Sequence, residues 1–265
     1  TPTEMYSDLL GFNRNTFDKE YGSPFDEKNR LTLINPSVTT KYTSRSDEQY
    51  KKIAVECASI INAVPGNTAV FFPSYYLLEK TKAHLDPLSK KTMLCEASEM
   101  SSNDKKELLE KFVTYAKSGS ALLGVAAGSF GEGIDLPGDQ LKCVIVVGLP
   151  LSKPDIETQQ LITYYNEKFG KGWDYGYILP ALTKVLQNAG RCIRTETDRG
   201  VVVFLDDRYG QPQYMRGFPT TWDIKTTKDC AGEITSFFGG KKEENKPVLT
   251  PKTEFGDFVD ASDVK

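Results

Sequence analysis

The sequence holds a single histidine, His84, and five cysteines (Cys57, Cys95, Cys143, Cys192 and Cys230) that are odd in number, scattered and never spaced as CxxC. That scarcity leaves almost nothing for a zinc site or a histidine-based triad, and it argues for reduced thiols in a cytosolic protein over a disulfide frame. Long apolar runs are missing as well. The longest, CVIVVGLPL (143–151), is far too short to span a bilayer, and the opening TPTEMYSDLL has no charged-then-apolar signal pattern. Neither sign of charge dominates: the net charge is -3 and the pI about 5.5. Composition therefore excludes a coat protein for nucleic acid and a membrane-surface binder, so any polyanion site must be local. The chain also begins without Met, which gives the expectation of a piece cut from something longer. What is present is 265 residues with 39% hydrophobic content, long enough for one large or two small domains with a proper core.

Runs rich in β-branched and aromatic residues alternate with amphipathic runs, the pattern of an α/β fold with a mainly parallel central sheet flanked by helices. Strands are expected at LTLIN (31–35), NTAVFF (67–72), TMLCEA, ALLGVA, KCVIVVGLP and GVVVFLDD. Helices are expected over 47–64, over 74–85 with Ser74 as N-cap, over NDKKELLEKFVTYAKSG with Asn103 as cap and Gly119 as stop, over PDIETQQLITYYNEKFG, and over YILPALTKVLQNAGRCIR. No internal repeat is visible. The expected divisions are a leading segment (1–30), a main domain (31–238) and a flexible polar C-terminal tail (239–265), where GGKKEENKPVLTPKTEFGDFVDASDVK keeps neither period.

The chemistry is concentrated after strands, where parallel sheets place ligands. GSFGEGIDLPG (128–138) has four glycines and a proline around Glu132 and Asp135, which lets backbone amides approach a phosphate or ribose. In QNAGRCIR (187–194), a helix would present Gln187, Gly190, Arg191 and Arg194 at i, i+3, i+4 and i+7, opposite an apolar stripe of Leu182, Val185, Leu186, Ala189 and Ile193. Two guanidiniums on an anchored helix suit a γ-phosphate clamp. The plainer reading pairs them with Glu196 and Asp198 on the surface. KGWDYGY (171–177) gathers Trp173, Tyr175 and Tyr177, suited to stacking unpaired bases, or to Trp173 filling a gap in the core. Arg208 in LDDRYG would grip a backbone phosphate unless Asp206 and Asp207 neutralise it, and Lys80, Lys82 and Lys153 are weaker candidates for the same track. AGEITSFFGGKK (231–242) matches the I-x-x-F-F end of a sliding-clamp binding box through Ile234, Phe237 and Phe238, with Ala231 where that box has Gln. The same phenylalanines would otherwise pack back on the domain.

Taken in order, these stretches resemble motifs V and VI of superfamily 2 helicases, and within them the XPD-type DNA helicases related to the DinG group. GSFGEGIDLPG is similar to FxEGIDxPG, LQNAGRCIRTETDRGVVVFLDDRY to QxxGRxIRxxxDxGxxxxxDxR, NTAVFFPSY to motif IV, and PTEMYSDLLGF to the stretch that follows motif III. The resemblance runs from Thr1 to about Tyr209. It implies a RecA-like three-layer domain, the second of two that clasp ATP, in a 5′ to 3′ helicase acting on single-stranded DNA in excision repair, cytoplasmic or nuclear. It implies that Arg191 and Arg194 act as arginine fingers and that Gln187 orients them or the attacking water. Gly131, Gly133, Asp135 and Gly190 would face the nucleotide, and Ser74, Tyr75, Ser129, Trp173 and Arg208 would hold DNA. No GxxxxGK[ST], no DEAH-like stretch and no clustered cysteines are present. ATP and Mg²⁺ would thus be shared with a first helicase domain, which would also carry the family's 4Fe-4S cluster, and this chain would by itself hydrolyse no ATP. The alternative is a binding module for nucleic acid or a sliding clamp that keeps a helicase-like fold without the motor.

Overall fold

A computed structural model of the chain describes residues 3–13, 15–17, 19, 24–132, 136, 138–151 and 154–239. The tail beyond Gly239, with Gly133, Asp135 and Lys153, lies outside the described residues. Seven strands form one sheet in the order β3-β4-β2-β5-β6-β1-β7. They are β1 (Arg30–Asn35), β2 (Thr68–Phe72), β3 (Thr92–Cys95), β4 (Ser120–Val125), β5 (Cys143–Val147), β6 (Gly200–Leu205) and β7 (Ile224–Thr226). Every pairing is parallel. The central strands β2, β4, β5 and β6 are buried at every position, which is why they read as unbroken apolar runs.

Nine α-helices accompany them among the described residues: α1 (Thr3–Leu10), α2 (Asp47–Ala63), α3 (Tyr75–Leu85), α4 (Ser102–Thr114), α5 (Ser129–Glu132), α6 (Ile156–Phe169), α7 (Leu179–Ala189), α8 (Pro212–Met215) and α9 (Cys230–Gly239). One face of the sheet is covered by α2, α3 and α9, through Ile53, Ile60, Leu77, Leu78 and Ile234. The other carries α7 with Phe112 of α4, Phe130 of α5 and Met5 of α1. This is the parallel α/β sheet that the alternation of runs implies, in the three-layer arrangement that the helicase resemblance implies.

Local signals account for most boundaries. Ser74 caps α3, its hydroxyl accepting from the Leu77 amide at 3.3 Å. Asp155 caps α6, and Gly170 ends it in the left-handed region at φ 68°. Two expectations need correction. The cap of α4 is Ser101, not Asn103, because Ser101 and Asp104 satisfy one another's backbone in a capping box. The α4 helix also closes at Thr114, ahead of Gly119, whose φ of 84° turns the chain into β4.

Candidate functional site

Helix α7 begins with Pro180 in its first turn and buries Leu179, Leu182, Val185 and Ala189 against the sheet. It stops at Gly190, whose amide donates to the Leu186 carbonyl at 2.8 Å. The helix expected to continue through Arg194 therefore ends before both arginines, and residues 191–199 form an irregular return to β6. The spacing misleads here because Gly190 acts as a C-cap, not as one member of a helical face.

The return nevertheless keeps the predicted residues together. Leu186, Gln187, Gly190, Arg191 and Arg194 line one open cleft of about 540 Å³. Gln187, Gly190 and Arg194 are exposed in it, whereas Arg191 is buried. The Arg191 guanidinium holds the glycine-rich loop: Nε and Nη2 donate to the Gly131 carbonyl at 2.9 and 2.6 Å. Asn188, a residue the motif reading passed over, adds a second stitch by donating to the Ala126 carbonyl at 3.1 Å. Gly131 is required for this approach, since a Cβ there would lie 2.4 Å from the Ala126 carbonyl oxygen. Asp198 does not meet Arg194 as a plain surface ion pair; it accepts the Arg194 and Thr195 amides at 2.7 and 2.8 Å and the Thr195 hydroxyl at 2.6 Å. Burial pushes its carboxyl up, but these donors outweigh it and hold the pKa below the ordinary carboxylate value.

The glycine-rich stretch opens against Glu96, which is buried and accepts from the Val125 amide at 3.0 Å, the Ser129 amide at 2.9 Å and the Tyr75 hydroxyl at 3.1 Å. Thus the Ser129 amide, which with its hydroxyl is one of two groups that could meet a DNA phosphate, is already taken, and the Tyr75 hydroxyl points at Glu96. Ser129 itself remains exposed.

A second cleft, of about 710 Å³, gathers Ser74 and Arg208 with Lys41, Tyr42, Arg45, Pro73, Pro150 and Tyr177. It sits where β1, β2, β5 and β6 deliver their carboxyl ends. Arg208 lines it without a free fork. Nε and Nη2 donate to the two Asp206 oxygens at 2.8 and 2.9 Å, and Nη2 also meets the Thr40 hydroxyl at 2.7 Å. The expected phosphate grip is therefore replaced by neutralisation, as a carboxylate two residues away makes possible. Burial works against both charges. Their mutual bond outweighs it, so the Asp206 carboxyl is held down and the Arg208 guanidinium up. Tyr42 and Arg45, absent from the motif reading, are the more open elements: Tyr42 is 82% exposed and carries the Arg45 guanidinium 5.4 Å from its ring centroid.

Trp173 and Tyr175 divide the two readings of KGWDYGY between them. Trp173 is 57% exposed and meets Tyr177 edge-on at 5.2 Å, so it does not fill the core. Tyr175 does, with its hydroxyl donating to Asp8 at 2.7 Å. The segment is a π-helical turn (Asp174–Ile178) packed on α6. Gly172 and Gly176 permit that contact, because a Cβ at either would meet Ile162 at 2.3 or 3.0 Å. Lys82 is paired with Asp86 at 2.6 Å, and Lys80 lies over the Tyr76 ring.

The clamp-like stretch is folded inward. Ile234 is fully buried on α9, Phe237 and Phe238 pack partly buried against the same core, and Arg199 donates to the Phe237 carbonyl at 2.5 Å. The packing-back reading holds for the two phenylalanines, and Ile234 is buried with them. Among the described residues no group of three or more His, Cys, Asp or Glu is placed to hold a metal ion, and no helix is long and apolar enough to cross a membrane.

Comparison with known proteins adds an independent line. The model of the helicase C-terminal domain family matches residues 57–224. The ATP-dependent DNA helicase DinG of Photobacterium profundum is 31% identical over 198 residues, covering 72% of this chain and 27% of the relative. The ATP-dependent DNA helicase DDX11 of Mus musculus is 28% identical over 186 residues, covering 61% and 20%. The chain thus spans about a quarter or less of these relatives' length. An apo XPD structure superposes with a TM-score of 0.65 at 23% identity, covering 85% of this chain and 46% of that one, and a second XPD helicase structure with 0.63. Those likenesses show the fold, a RecA-like domain.

Proposed function

Because the chain belongs to the helicase C-terminal domain family, we propose that it is the second motor domain of an ATP-dependent DNA helicase, carrying part of an ATP site on one cleft and part of a single-strand track on the other. The observation that carries this reading is the convergence of Gln187, Gly190, Arg191 and Arg194 on one open cleft beside the Gly131 loop. A triphosphate brought to that cleft by a first motor domain would meet Arg194 from the exposed side, with Gln187 lining the same cleft. Charge that develops on the transferring γ-phosphoryl would be met by guanidinium donors, a contact worth about 10³ to 10⁵ in rate. Arg191, tied to the Gly131 carbonyl, would fix the loop. Gly133 and Asp135 would face the ribose or the phosphates. Mg²⁺ would be held by the first domain, as would a 4Fe-4S cluster.

On the nucleic-acid side, Tyr42, Arg45, Ser74 and Tyr177 line the larger cleft, and Trp173 extends the aromatic surface beyond Tyr177. Aromatic faces with a partly open guanidinium suit unpaired bases and their phosphates. A 5′ to 3′ polarity, a role in excision repair and a cytoplasmic or nuclear setting complete the reading, which the relatives' names support only as far as DNA helicase. A clamp-binding role through Ile234, Phe237 and Phe238 would need α9 to leave the core, so we do not favour it. The test is titration of the chain with labelled oligo(dT) at two salt concentrations. Weak binding that falls with salt is expected; no binding at low salt would remove the track from this half.

A further inference from the structure

Glu96 stands just past the carboxyl end of β3 and is 2% exposed, yet it is held by hydrogen-bond donors alone and makes no ion pair among the described residues. Two glycines make room for it. A Cβ on Gly128 would lie 2.8 Å from both carboxylate oxygens, and one on Gly124 3.0 Å from Oε2. Burying a carboxylate this way is costly unless every donor is in place, and the donors come from separate parts of the chain: the end of β4, the first turn of α5 and the first residue of α3.

These parts lead to different clefts. Tyr75 follows Ser74, which lines the cleft read above as the DNA track. Ser129 lies two residues before Gly131, whose carbonyl holds the Arg191 guanidinium in the other cleft. Asn188 fastens the near end of the same loop at Ala126. One carboxylate and one short loop therefore join the two clefts through direct contacts.

We propose that Glu96 is a positioning residue that couples the clefts: DNA bound beside Ser74 shifts Tyr75, the carboxylate carries that shift to Ser129, and the Gly131 carbonyl carries it to Arg191. The proposal rests on the reading of the two clefts given above. Linkage makes it reciprocal, so the nucleotide's state would change DNA affinity by the same factor. A chain of contacts becomes a coupling only when a perturbation is shown to travel along it.

The experiment uses the ¹⁵N-labelled 265-residue chain and follows the Ser129 amide and the Arg191 Nε–H by hydrogen exchange and chemical shift. Glu96→Gln replaces one acceptor oxygen by an NH₂ group, setting a donor against the Val125 or the Ser129 amide. Without DNA, exchange at Ser129 and at Arg191 Nε should be at least tenfold faster, while amides of β5 keep their protection. Arg191 exchange unchanged beside a faster Ser129 overturns the coupling. Should β5 also open, showing that the fold is lost, Tyr75→Phe removes only the hydroxyl bond, and the same pattern at smaller amplitude is expected or the proposal fails. With oligo(dT), the Arg191 Nε signal of the unmodified chain should move, and Glu96→Gln should abolish that movement while Kd rises less than threefold. A movement that survives Glu96→Gln overturns the proposal. If the unmodified chain binds no oligo(dT), the cleft assignment falls, and the DNA-free exchange decides the coupling alone.

Discussion

Replacing Asp206 by Ala should be among the most damaging single changes on the strand-end surface, and the size of the loss can be worked from its contacts. Oδ2 accepts the Thr40 amide at 2.7 Å, the Thr40 hydroxyl at 2.9 Å and Arg208 Nη2 at 2.9 Å; Oδ1 accepts the Arg208 amide at 3.1 Å and Nε at 2.8 Å. The side chain has no exposure, and that of Arg208 only 11%. Removing the carboxylate leaves a guanidinium and two amides without their acceptor, a loss of about 3–5 kcal/mol. For a chain of this size that is a fall in Tm on the order of 10 °C, measurable by circular dichroism. Asp206→Ala with Arg208→Ala together should cost less than the sum of the two, since the uncompensated charge goes as well. A loss under about 1 kcal/mol for Asp206→Ala, against the range expected for a broken buried pair, or strict additivity in the cycle, would refute the account of Arg208 as a neutralised structural cation.

The same carboxyl titrates below its unfolded value, so its stabilisation is full above about pH 4 and is lost as pH falls through the lower folded value. Acid unfolding of Asp206→Asn should accordingly be less steep than that of the unmodified chain. Trp173→Ala should weaken oligo(dT) binding by about 1–3 kcal/mol with Tm unchanged, as expected of an exposed ring; equal affinity in fluorescence anisotropy would end its stacking role. Ile234→Ala should cost about 2–5 kcal/mol in urea unfolding, because Ile234 is fully buried between α9 and the core; a cost under about 0.5 kcal/mol, the size seen at ordinary surface sites, would mean that α9 is not docked. Burial raises the thiols, with Cys95 pushed up to about 11 and Cys192 to about 12. Maleimide labelling at neutral pH should thus be slow throughout and reach the half-buried Cys95 first.

The strands were legible because a parallel sheet covered on both faces writes itself as apolar runs, and β2, β4, β5 and β6 are buried throughout. The three-residue edge strand β7 was not: only Ile224 of its three side chains turns even partly inward, so no period exists to be seen. Helix α9 was read as a tail motif because its apolar residues fit a linear recognition pattern as well as a buried face. At the site, the residue types and their order pointed to Gln187, Arg191 and Arg194, which line one cleft, yet their surroundings were hidden. Whether a guanidinium is open or engaged depends on a carbonyl 60 residues away for Arg191 and on a side chain two residues away for Arg208. Only the second lay within reach of sequence reasoning. Glu96 was unreadable for the same reason, since the amides that hold it lie 29 and 33 residues further on.

The proposed role of the smaller cleft is to receive, on its Arg194 side, a triphosphate from another motor domain. It is met most directly by DNA-stimulated ATP hydrolysis in a protein that joins this chain to its first motor domain, with Arg194→Ala compared to the unmodified form. Turnover should fall by about 10³ or more while affinity for single strands stays within threefold. Hydrolysis that persists within tenfold of the unmodified protein would contradict the assignment.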